Sequence, residues 1–290
     1  MESAPKVSIG MPVYNGTKFI REALDSLLAQ TFTDFELIIS DNASTDETEI
    51  ICQEYADKDS RIRYVRQVEN LGAVANFNYV KFKAKEYNAC YFAWMASDDL
   101  WPKNYLDILV KAHEMKPSAV LCFGGVDLYD ADTKYLGESR NNYFTTPLFN
   151  VNCEVFIHIN SLKYYLDKNP YKIYGLFKYN AIREIDLEEV CGTPQHSDNL
   201  FLMKVFVIGC GYYANRTSLK YRVIPKTASE YAEDISFESP SRMKFETTIW
   251  FQFMKFIIKK RKVSLLFYIF ITPVVFLIML FKPLLIRIFK

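Results

Sequence analysis

The sequence has few of the residues that build metal cages or disulfide frameworks. Its six cysteines lie far apart without a CxxC pair, and it contains only three histidines. Cysteines scattered in this way indicate reduced structural thiols and exclude a disulfide framework or a cysteine zinc site. The three dispersed histidines likewise exclude a histidine cage.

A charge excess of either sign is also absent. The 35 Lys and Arg residues nearly balance the 34 Asp and Glu residues, so net charge gives no reason to expect a nucleic-acid partner. The first ten residues, MESAPKVSIG, lack a basic segment followed by an apolar stretch. We therefore expect no signal peptide and a cytoplasmic location for the bulk of the chain.

The first hundred residues alternate between short apolar runs and segments with helical spacing. The runs KVSIGMPVY, FELIIS, RIRYV and CYFAWM predict four strands, and the segments between them predict three helices. Ser44 and Glu47 in STDE predict a capping box that opens the second helix. This alternation predicts an α/β fold with a mainly parallel sheet, covered by helices and binding ligands at the carboxyl ends of its strands.

Acidic residues follow two of these predicted strands. Asp41 closes FELIIS, and Asp98 and Asp99 follow CYFAWM after a short step, so we expect all three at one edge of the sheet. Carboxylates there suit a hard divalent cation that bridges to the phosphates of a substrate. Aspartate is also common in solvated turns, and spacing alone leaves both interpretations open.

Four motifs in order resemble a family-2 glycosyltransferase with the GT-A fold. They are VSIGMPVYNGTKFIREALDSLLAQTF, DFELIISDNASTDET, ENLGAVANFN and SDDLWPKNYL, and the resemblance covers about 230 residues. It implies an inverting transfer of a sugar from a nucleotide-diphosphate sugar to an acceptor hydroxyl, with Mg²⁺ or Mn²⁺ as cofactor. It also implies a GT-A domain over residues 1–230, with a nucleotide-sugar half to residue 105 and an acceptor half after it.

The resemblance assigns donor-binding roles to the first half. Asp41 matches the acid that accepts a hydrogen bond from a uracil-type base, although Asn42 follows it where the family often has a second Asp. Asp99 matches the metal ligand of the DxD region, and Asp98 matches the contact to ribose or donor sugar. Ala96 replaces the first acid of a common D-x-D-D form, which we interpret as a variant. The remaining nucleotide-site matches are Pro12, Val13, Tyr14, Asn70 and Gly72.

The second half supplies the remaining predicted chemistry. Asp198, at the predicted start of the helix HSDNLFLMKVFVIG, matches the family's catalytic base, while its ordinary alternative is a helix cap. Acceptor-side candidates are Gly175, which allows close backbone approach, His196, which could assist or bind phosphate, and Arg222, which could pair with phosphate. The alternatives for the first two are an ordinary strand and turn at Gly175 and a surface histidine at position 196.

The C-terminal residues 231–290 differ from the rest. Ser264–Phe281 is an uncharged run with basic residues on both sides, and a basic amphipathic helix precedes it, with Met243, Ile249, Trp250, Phe253, Met254 and Ile257 largely on one face. This pattern predicts association with the membrane, either as a span or as in-plane helices. A buried core helix is the disfavoured alternative.

The expected enzyme works at the cytoplasmic face of the plasma membrane. It would take a UDP- or dTDP-sugar and extend a polyprenyl-diphosphate-linked glycan of a surface polysaccharide or glycoprotein. No Q-x-x-R-W pattern occurs, which argues against a processive synthase. Two alternatives stay open: a non-catalytic nucleotide-sugar scaffold, suggested by Ala96 and Asn42, and a sugar nucleotidyltransferase, disfavoured by the single glycine in MPVYNGTKFI.

Overall fold

The structure is a computed structural model that describes residues 4–138, 170–189 and 197–223, with the short pieces 248–249, 251–253, 255–256 and 259. The chain divides into two compact units. The first comprises Met1–Glu189 and Pro194–Pro225, and the second comprises Val190–Thr193 and Lys226–Lys290.

The first half of the larger unit has the predicted alternation of strands and helices. Every residue of its first two strands is buried, because helices cover the sheet. The elements are β1 (Val7–Val13), α1 (Ile20–Leu28), β2 (Phe35–Asp41), α2 (Thr48–Lys58), β3 (Ile62–Arg66), α3 (Ala73–Lys83), a 3₁₀ helix (Ala84–Tyr87) and β4 (Tyr91–Trp94).

Strands β1 to β4 form a parallel sheet in the order β3-β2-β1-β4. Val13 at the end of β1 lies opposite Asp41 at the end of β2, and β4 pairs with the other edge of β1. The carboxyl ends of β2, β1 and β4 therefore meet at one edge of the sheet. This confirms the predicted placement of Asp41 and of the turn carrying Asp98 and Asp99.

The second half is less regular. A 3₁₀ helix and a short strand separate the longer elements there. The elements of this half are α4 (Tyr105–Met115), β5 (Ala119–Tyr129), β6 (Tyr135–Glu138), a 3₁₀ helix (Pro170–Tyr174), β7 (Leu176–Lys178), α5 (Tyr179–Ile182), α6 (Ser197–Ile208) and β8 (Cys210–Arg222).

The eight-stranded sheet is mixed, which corrects the prediction of a mainly parallel sheet. Strand β7 is antiparallel to both β4 and β5, β6 is antiparallel to β5, and β8 is parallel to β5. The physical reason is the short connection that leads the chain into β7. The 3₁₀ helix Pro170–Tyr174 leads into β7 after one residue, Gly175, so β7 starts near the carboxyl edge of β4 and runs back along it.

The predicted capping box is not formed. Helix α2 begins at Thr48, and the Asp46 carboxylate accepts the backbone N–H of Thr48 at 3.0 Å. The Ser44 hydroxyl instead accepts the backbone N–H of Asn15 at 2.9 Å. A tertiary contact to the loop after β1 thus takes the oxygen that the local pattern assigned to helix capping.

The described residues of the smaller unit are helical. Ile249 and Phe253 are buried one turn apart, which agrees with the face predicted for the amphipathic helix, and Phe251 is exposed. Within the part of the chain that the structure describes, no helix is long and apolar enough to cross a membrane. The segment Ser264–Phe281 lies outside that part, so its membrane association stays a prediction.

Candidate active site

The loops that follow β1 and β2 are joined by side-chain to backbone hydrogen bonds. Besides the Asn15–Ser44 contact, the N–H of Gly16 donates to Thr48 Oγ1 at 2.8 Å, and the N–H of Thr45 donates to Asn15 Oδ1 at 2.9 Å. These bonds fix the two loops against each other at the carboxyl edge.

The three predicted nucleotide-site residues of the first strand differ in accessibility. Pro12 and Val13 are buried within β1, whereas the Tyr14 side chain beyond the end of the strand is 49% exposed. Of the three, only Tyr14 therefore presents a ring on which a base could pack.

Asp41 is completely buried, and both of its carboxylate oxygens have partners. Its Oδ1 accepts the N–H of Ser44 at 2.9 Å, and its Oδ2 accepts the Tyr64 hydroxyl at 2.8 Å and Arg66 Nη1 at 3.2 Å. Burial raises the pKa of Tyr64, and the bond to Asp41 raises it further, so Tyr64 stays a donor. Asp41 therefore organises this end of β2 before any nucleotide is bound.

Asn42 holds the loop that leads into α3. Its Nδ2 donates to Asn70 Oδ1 at 2.8 Å and to the Gly72 carbonyl at 3.3 Å, and its Oδ1 accepts the N–H of Leu71 at 2.8 Å. Gly72 has φ +82° at the start of α3, a conformation that favours glycine. The sequence analysis noted Asn42 only because the family often has a second Asp at that position. The matched loop residues Asn70 and Gly72 were the available signal that Asn42 has a partner in this loop.

The turn after β4 buries one carboxylate almost completely. Asp99 is 1% exposed, and its Oδ1 accepts the backbone N–H of Arg222 at 2.9 Å. Its Oδ2 is buried and has no hydrogen-bond partner among the described residues. Burial raises the pKa of Asp99 well above its usual range, and the charge of Asp98 raises it further; burial also raises the pKa of Asp98.

This pair fits a divalent cation. Burial raises the pKa values of Asp98 and Asp99, and the buried Asp99 Oδ2, which has no partner among the described residues, has lone pairs available for a ligand bond. Carboxylate oxygens are the ligands that Mg²⁺ and Mn²⁺ take. No group of three or more His, Cys, Asp or Glu side chains that could hold a metal occurs within residues 4–138, 170–189 and 197–223.

A tyrosine cluster connects the acid pair with Asp198. The ring centroids of Tyr171 and Tyr221 lie 4.7 Å apart, and those of Tyr174 and Tyr221 lie 6.3 Å apart. Burial raises the pKa of Tyr174 and of Tyr221, and the charges of Asp99, Asp98 and Asp198 all raise both further. Sequence reasoning missed this cluster, because no spacing pattern links residue 221 to residues 171 and 174.

Asp198 is the second residue of α6, in its first turn. Its Oδ1 accepts the N–H of Asn199 at 2.7 Å, and burial raises its pKa. Helix α6 packs against the 3₁₀ helix Pro170–Tyr174. The fold thus places Asp198 near the tyrosine cluster, where its charge, like the charges of Asp98 and Asp99, raises the pKa values of Tyr174 and Tyr221.

The acceptor-side candidates have different surroundings. Gly175 does allow a close approach, but to β5: a Cβ atom there would lie 2.6 Å from the Cys122 carbonyl oxygen. Arg222 is 4% exposed, and its guanidinium donates to the carbonyls of Asp98 and Ala131 and to the Glu22 carboxylate. His196 lies outside the described residues. Packing explains the glycine, and Arg222 is committed to acceptors of the protein.

The fold and this arrangement of acids agree with the comparisons to known proteins. The profile of Glycosyl transferase family 2 matches residues 8–172, and the chain belongs to this family. That span includes the β1 loop, Asp41, the Asn70–Gly72 loop and the Asp98–Asp99 turn.

Two curated relatives illustrate the similarity. An uncharacterized glycosyltransferase of Rickettsia bellii is 36% identical over 151 residues, covering 51% of this chain and 21% of the relative. The putative teichuronic acid biosynthesis glycosyltransferase TuaG of Bacillus subtilis is 35% identical over 128 residues, covering 44% of this chain and 49% of TuaG. The chain thus spans less than half of either relative.

Two solved structures share the fold. S. aureus TarS 1–349 in complex with UDP-GlcNAc has a TM-score of 0.62 and 19% identity, with 87% of this chain and 66% of that chain covered. The mannosyltransferase PcManGT of Pyrobaculum calidifontis, in complex with GDP-Man and Mn²⁺, has a TM-score of 0.55 and 16% identity, with 87% and 65% covered. At these identities the likeness shows the α/β GT-A-like fold.

Proposed function

We propose that this protein is an inverting glycosyltransferase that moves a sugar from a nucleotide-diphosphate sugar to a hydroxyl of a glycan acceptor. The observation that carries the proposal is the grouping of three acids, the buried Asp99 and the partly exposed Asp98 and Asp198, around one tyrosine cluster. The charges of all three acids raise the pKa values of Tyr174 and Tyr221 beyond the effect of burial.

The reaction needs a base and stabilisation of a departing diphosphate. The acceptor oxygen attacks the anomeric carbon of the donor sugar, its proton moves to the Asp198 carboxylate, and the bond from that carbon to the diphosphate oxygen breaks. The nucleoside diphosphate leaves with the electron pair. Burial raises the pKa of Asp198, which strengthens it as a base.

Asp99 would hold Mg²⁺ or Mn²⁺ at the donor diphosphate, and Asp98 would contact the ribose or the donor sugar. The bound cation would neutralise the charge that develops on the diphosphate. The Asp99 Oδ2 atom, buried without a partner among the described residues, supports this assignment. The Mn²⁺ named for PcManGT and the nucleotide sugars named for PcManGT and TarS support it by analogy.

Asp41 favours a uridine or thymidine donor. Both bases present a ring N–H to an acceptor, and Asp41 closes the strand next to the exposed ring of Tyr14. The carboxylate accepts the N–H of Ser44 on Oδ1 and the donors of Tyr64 and Arg66 on Oδ2, so Oδ1 retains a lone pair that could accept the ring N–H.

The acceptor side of the proposal concerns the membrane. We place the enzyme at the cytoplasmic face of the plasma membrane, extending a polyprenyl-diphosphate-linked glycan of a surface polysaccharide or glycoprotein. The apolar run Ser264–Phe281 with its basic flanks and the name of TuaG support this placement. Removing residues 241–290 should lower transfer to a lipid-linked acceptor in membranes, and an unchanged rate would contradict the placement.

One experiment separates the enzyme from a non-catalytic scaffold and from a nucleotidyltransferase. Purified protein is incubated with a panel of nucleotide sugars and Mn²⁺, and the release of nucleoside diphosphate and protection against thermal unfolding are measured. The enzyme should release diphosphate slowly from one donor, and D198N should retain protection without release. The matched control is D57N, because Asp57 is an exposed aspartate of α2.

The other outcomes have distinct meanings. Protection with no release by wild-type protein would indicate a scaffold. Release of pyrophosphate from a nucleoside triphosphate and a sugar phosphate would indicate a nucleotidyltransferase. Either result would overturn the proposed function.

A further inference from the structure

We propose that Arg222 is a positioning residue that holds the Asp98–Asp99 turn in the geometry that binds the cation. The inference rests on the cation role proposed above for Asp99. It replaces the sequence-based expectation that Arg222 pairs with phosphate.

The Arg222 side chain connects three separate segments of the chain. Its Nε donates to the Asp98 carbonyl at 2.9 Å, its Nη1 donates to the Ala131 carbonyl at 2.9 Å, and its Nη2 donates to Glu22 Oε2 at 2.7 Å. Asp98 belongs to the acid turn, Ala131 to the turn between β5 and β6, and Glu22 to α1. One guanidinium therefore fixes the acid turn to two surrounding elements.

The backbone of the same residue contacts the second acid of the turn. The N–H of Arg222 donates to Asp99 Oδ1 at 2.9 Å, and the backbones of Leu100 and Lys220 exchange two hydrogen bonds of 3.0 and 2.9 Å. Together these contacts hold Asp99 through Oδ1 and leave Oδ2, which has no partner among the described residues, available to a ligand. The end of β8 thus determines which Asp99 oxygen is available.

Arg222 is poorly placed to bind a substrate phosphate. It is 4% exposed, its three nitrogens donate to protein acceptors, and its guanidinium lies 4.2 Å from the centroid of the Phe19 ring. Only a planar fork can reach three acceptors in different directions, so lysine cannot reproduce the arrangement. These contacts favour positioning over phosphate recognition.

Mn²⁺ binding to nucleotide-free protein tests the inference. Loss of the Arg222 charge and loss of its positioning role predict opposite changes in the affinity for Mn²⁺. R222Q removes a positive charge beside the cation site. The loss of Coulomb repulsion alone should strengthen Mn²⁺ binding. Loss of positioning should instead weaken it by about 10–100-fold, the usual effect of removing a group that orients a metal ligand. Electron paramagnetic resonance of the free ion gives the dissociation constant directly.

Two matched variants separate the individual contacts. K220Q removes a neighbouring exposed positive charge of β8 and should change the constant by less than about twofold, because the Lys220 ammonium lies over the Tyr129 ring, 5.3 Å from its centroid. E22Q keeps an acceptor oxygen for Arg222, and since the Glu22 side chain is 53% exposed, its effect should also be within about twofold.

R222K keeps the charge and serves where R222Q does not fold. An ammonium has three N–H donors on one nitrogen and cannot reach the three separate acceptors that the guanidinium nitrogens contact, so R222K should still weaken Mn²⁺ binding, by about tenfold. Unchanged or tighter Mn²⁺ binding by both Arg222 variants would overturn the inference. Weaker binding of nucleoside diphosphate without metal, with Mn²⁺ binding unchanged, would instead assign Arg222 to phosphate.

The wild-type protein distinguishes this inference from the function on which it rests. If wild-type protein binds no Mn²⁺ and D99N behaves identically, the cation role fails and the inference fails with it. If wild-type protein binds Mn²⁺ through Asp99 and R222Q binds it equally well, the inference alone fails.

Discussion

The Asn42 side-chain amide lies 2.8 Å from Oδ1 of Asn70 and donates a hydrogen bond to it. A carboxylate at position 42 could not donate, and its oxygen would face the Asn70 oxygen. Rotation of the Asn70 amide would relieve this repulsion only by losing the bond from the Gly72 N–H to Asn70 Oδ1, at 2.9 Å. The neutral amide next to Asp41 therefore fits this loop better than a second acid.

The first prediction is that N42D weakens donor binding. Leaving two oxygens opposed in a partly buried site costs about 1–3 kcal/mol, and the loop predicted to close on the nucleotide would lose its fixed conformation. The donor KM should rise about tenfold with a smaller change in kcat. N88D is the matched control, because Asn88 is exposed after α3 and its 3₁₀ extension. A donor KM equal to that of wild type would refute the role of the amide.

The second prediction is that D99N separates stability from activity. Asn keeps an oxygen for the N–H of Arg222, while it removes a buried charge whose pKa is raised by burial and by Asp98. We expect a higher Tm in metal-free buffer, loss of Mn²⁺ binding and loss of nucleoside diphosphate release. Differential scanning calorimetry with EDTA measures the first, and Mn²⁺ titration measures the second.

A lower Tm for metal-free D99N would show that the charge of Asp99 stabilises the fold, contrary to this account. The comparison variant is D132N, in the exposed turn between β5 and β6, which should leave Tm and Mn²⁺ binding unchanged.

The third prediction concerns the Tyr221 ring. If the donor or acceptor sugar lies between the acid pair and Asp198, Tyr221 forms a wall of that space through its packing on Tyr171. Y221A should lower kcat/KM about tenfold or more, equivalent to the 1.4 kcal/mol that one well-placed aromatic contact contributes. Y221F should stay within about threefold, because the ring is kept.

Tyr212, earlier in β8 beneath Lys116, provides the control for removing a tyrosine from this strand. Y212A should affect Tm without a specific loss of kcat/KM. Equal kinetic losses for Y212A and Y221A would point to a general packing defect and remove the case for a sugar-binding wall.

The sequence predicted the first half of the fold because local patterns determine it. Apolar runs and helical spacing identified β1 to β4, and the rule for parallel strands placed Asp41, Asp98 and Asp99 at one edge. The sequence did not indicate the antiparallel direction of β7, because a three-residue strand carries no local signal of its pairing. Strand direction there depends on where the preceding 3₁₀ helix delivers the chain.

The candidate site was predictable where one residue type in a motif carries the role. Asp198 and Asp99 are such candidates. The contacts of Arg222, in contrast, connect it to Asp98, 124 residues away in the sequence, and to Glu22, 200 residues away. Contacts at such separations leave no periodic trace in a single sequence. The tyrosine cluster was missed for the same reason.

The fourth prediction concerns pH and stability at Glu36, on β2 and away from the candidate site. Burial raises the pKa of Glu36 to about 7 from an ordinary 4.5, although the Ser8 hydroxyl donates to it. The folded state therefore binds more protons than the unfolded state between these values, and the free energy of unfolding falls as pH rises through that window. The stabilisation is full below pH 4.5 and amounts to about 3 kcal/mol at most.

His113 acts with the opposite sign over part of the same range. Burial lowers its pKa to about 4 from 6.5, so its contribution is present above pH 6.5 and is lost as pH falls towards 4. A pH profile of the wild-type protein alone would mix the two residues. The difference between wild type and E36Q isolates Glu36, because both proteins contain His113.

E36Q should thus be more stable than wild type at about pH 8, by up to about 3 kcal/mol, and should lose this advantage at about pH 5. Gln keeps the acceptor for Ser8 and cannot ionise. Denaturant unfolding at both pH values measures the difference, with E69Q, at an exposed glutamate, as the control that should show none. An E36Q advantage that does not change between the two pH values would exclude Glu36 ionisation as its cause, since any packing difference between Glu and Gln persists at both.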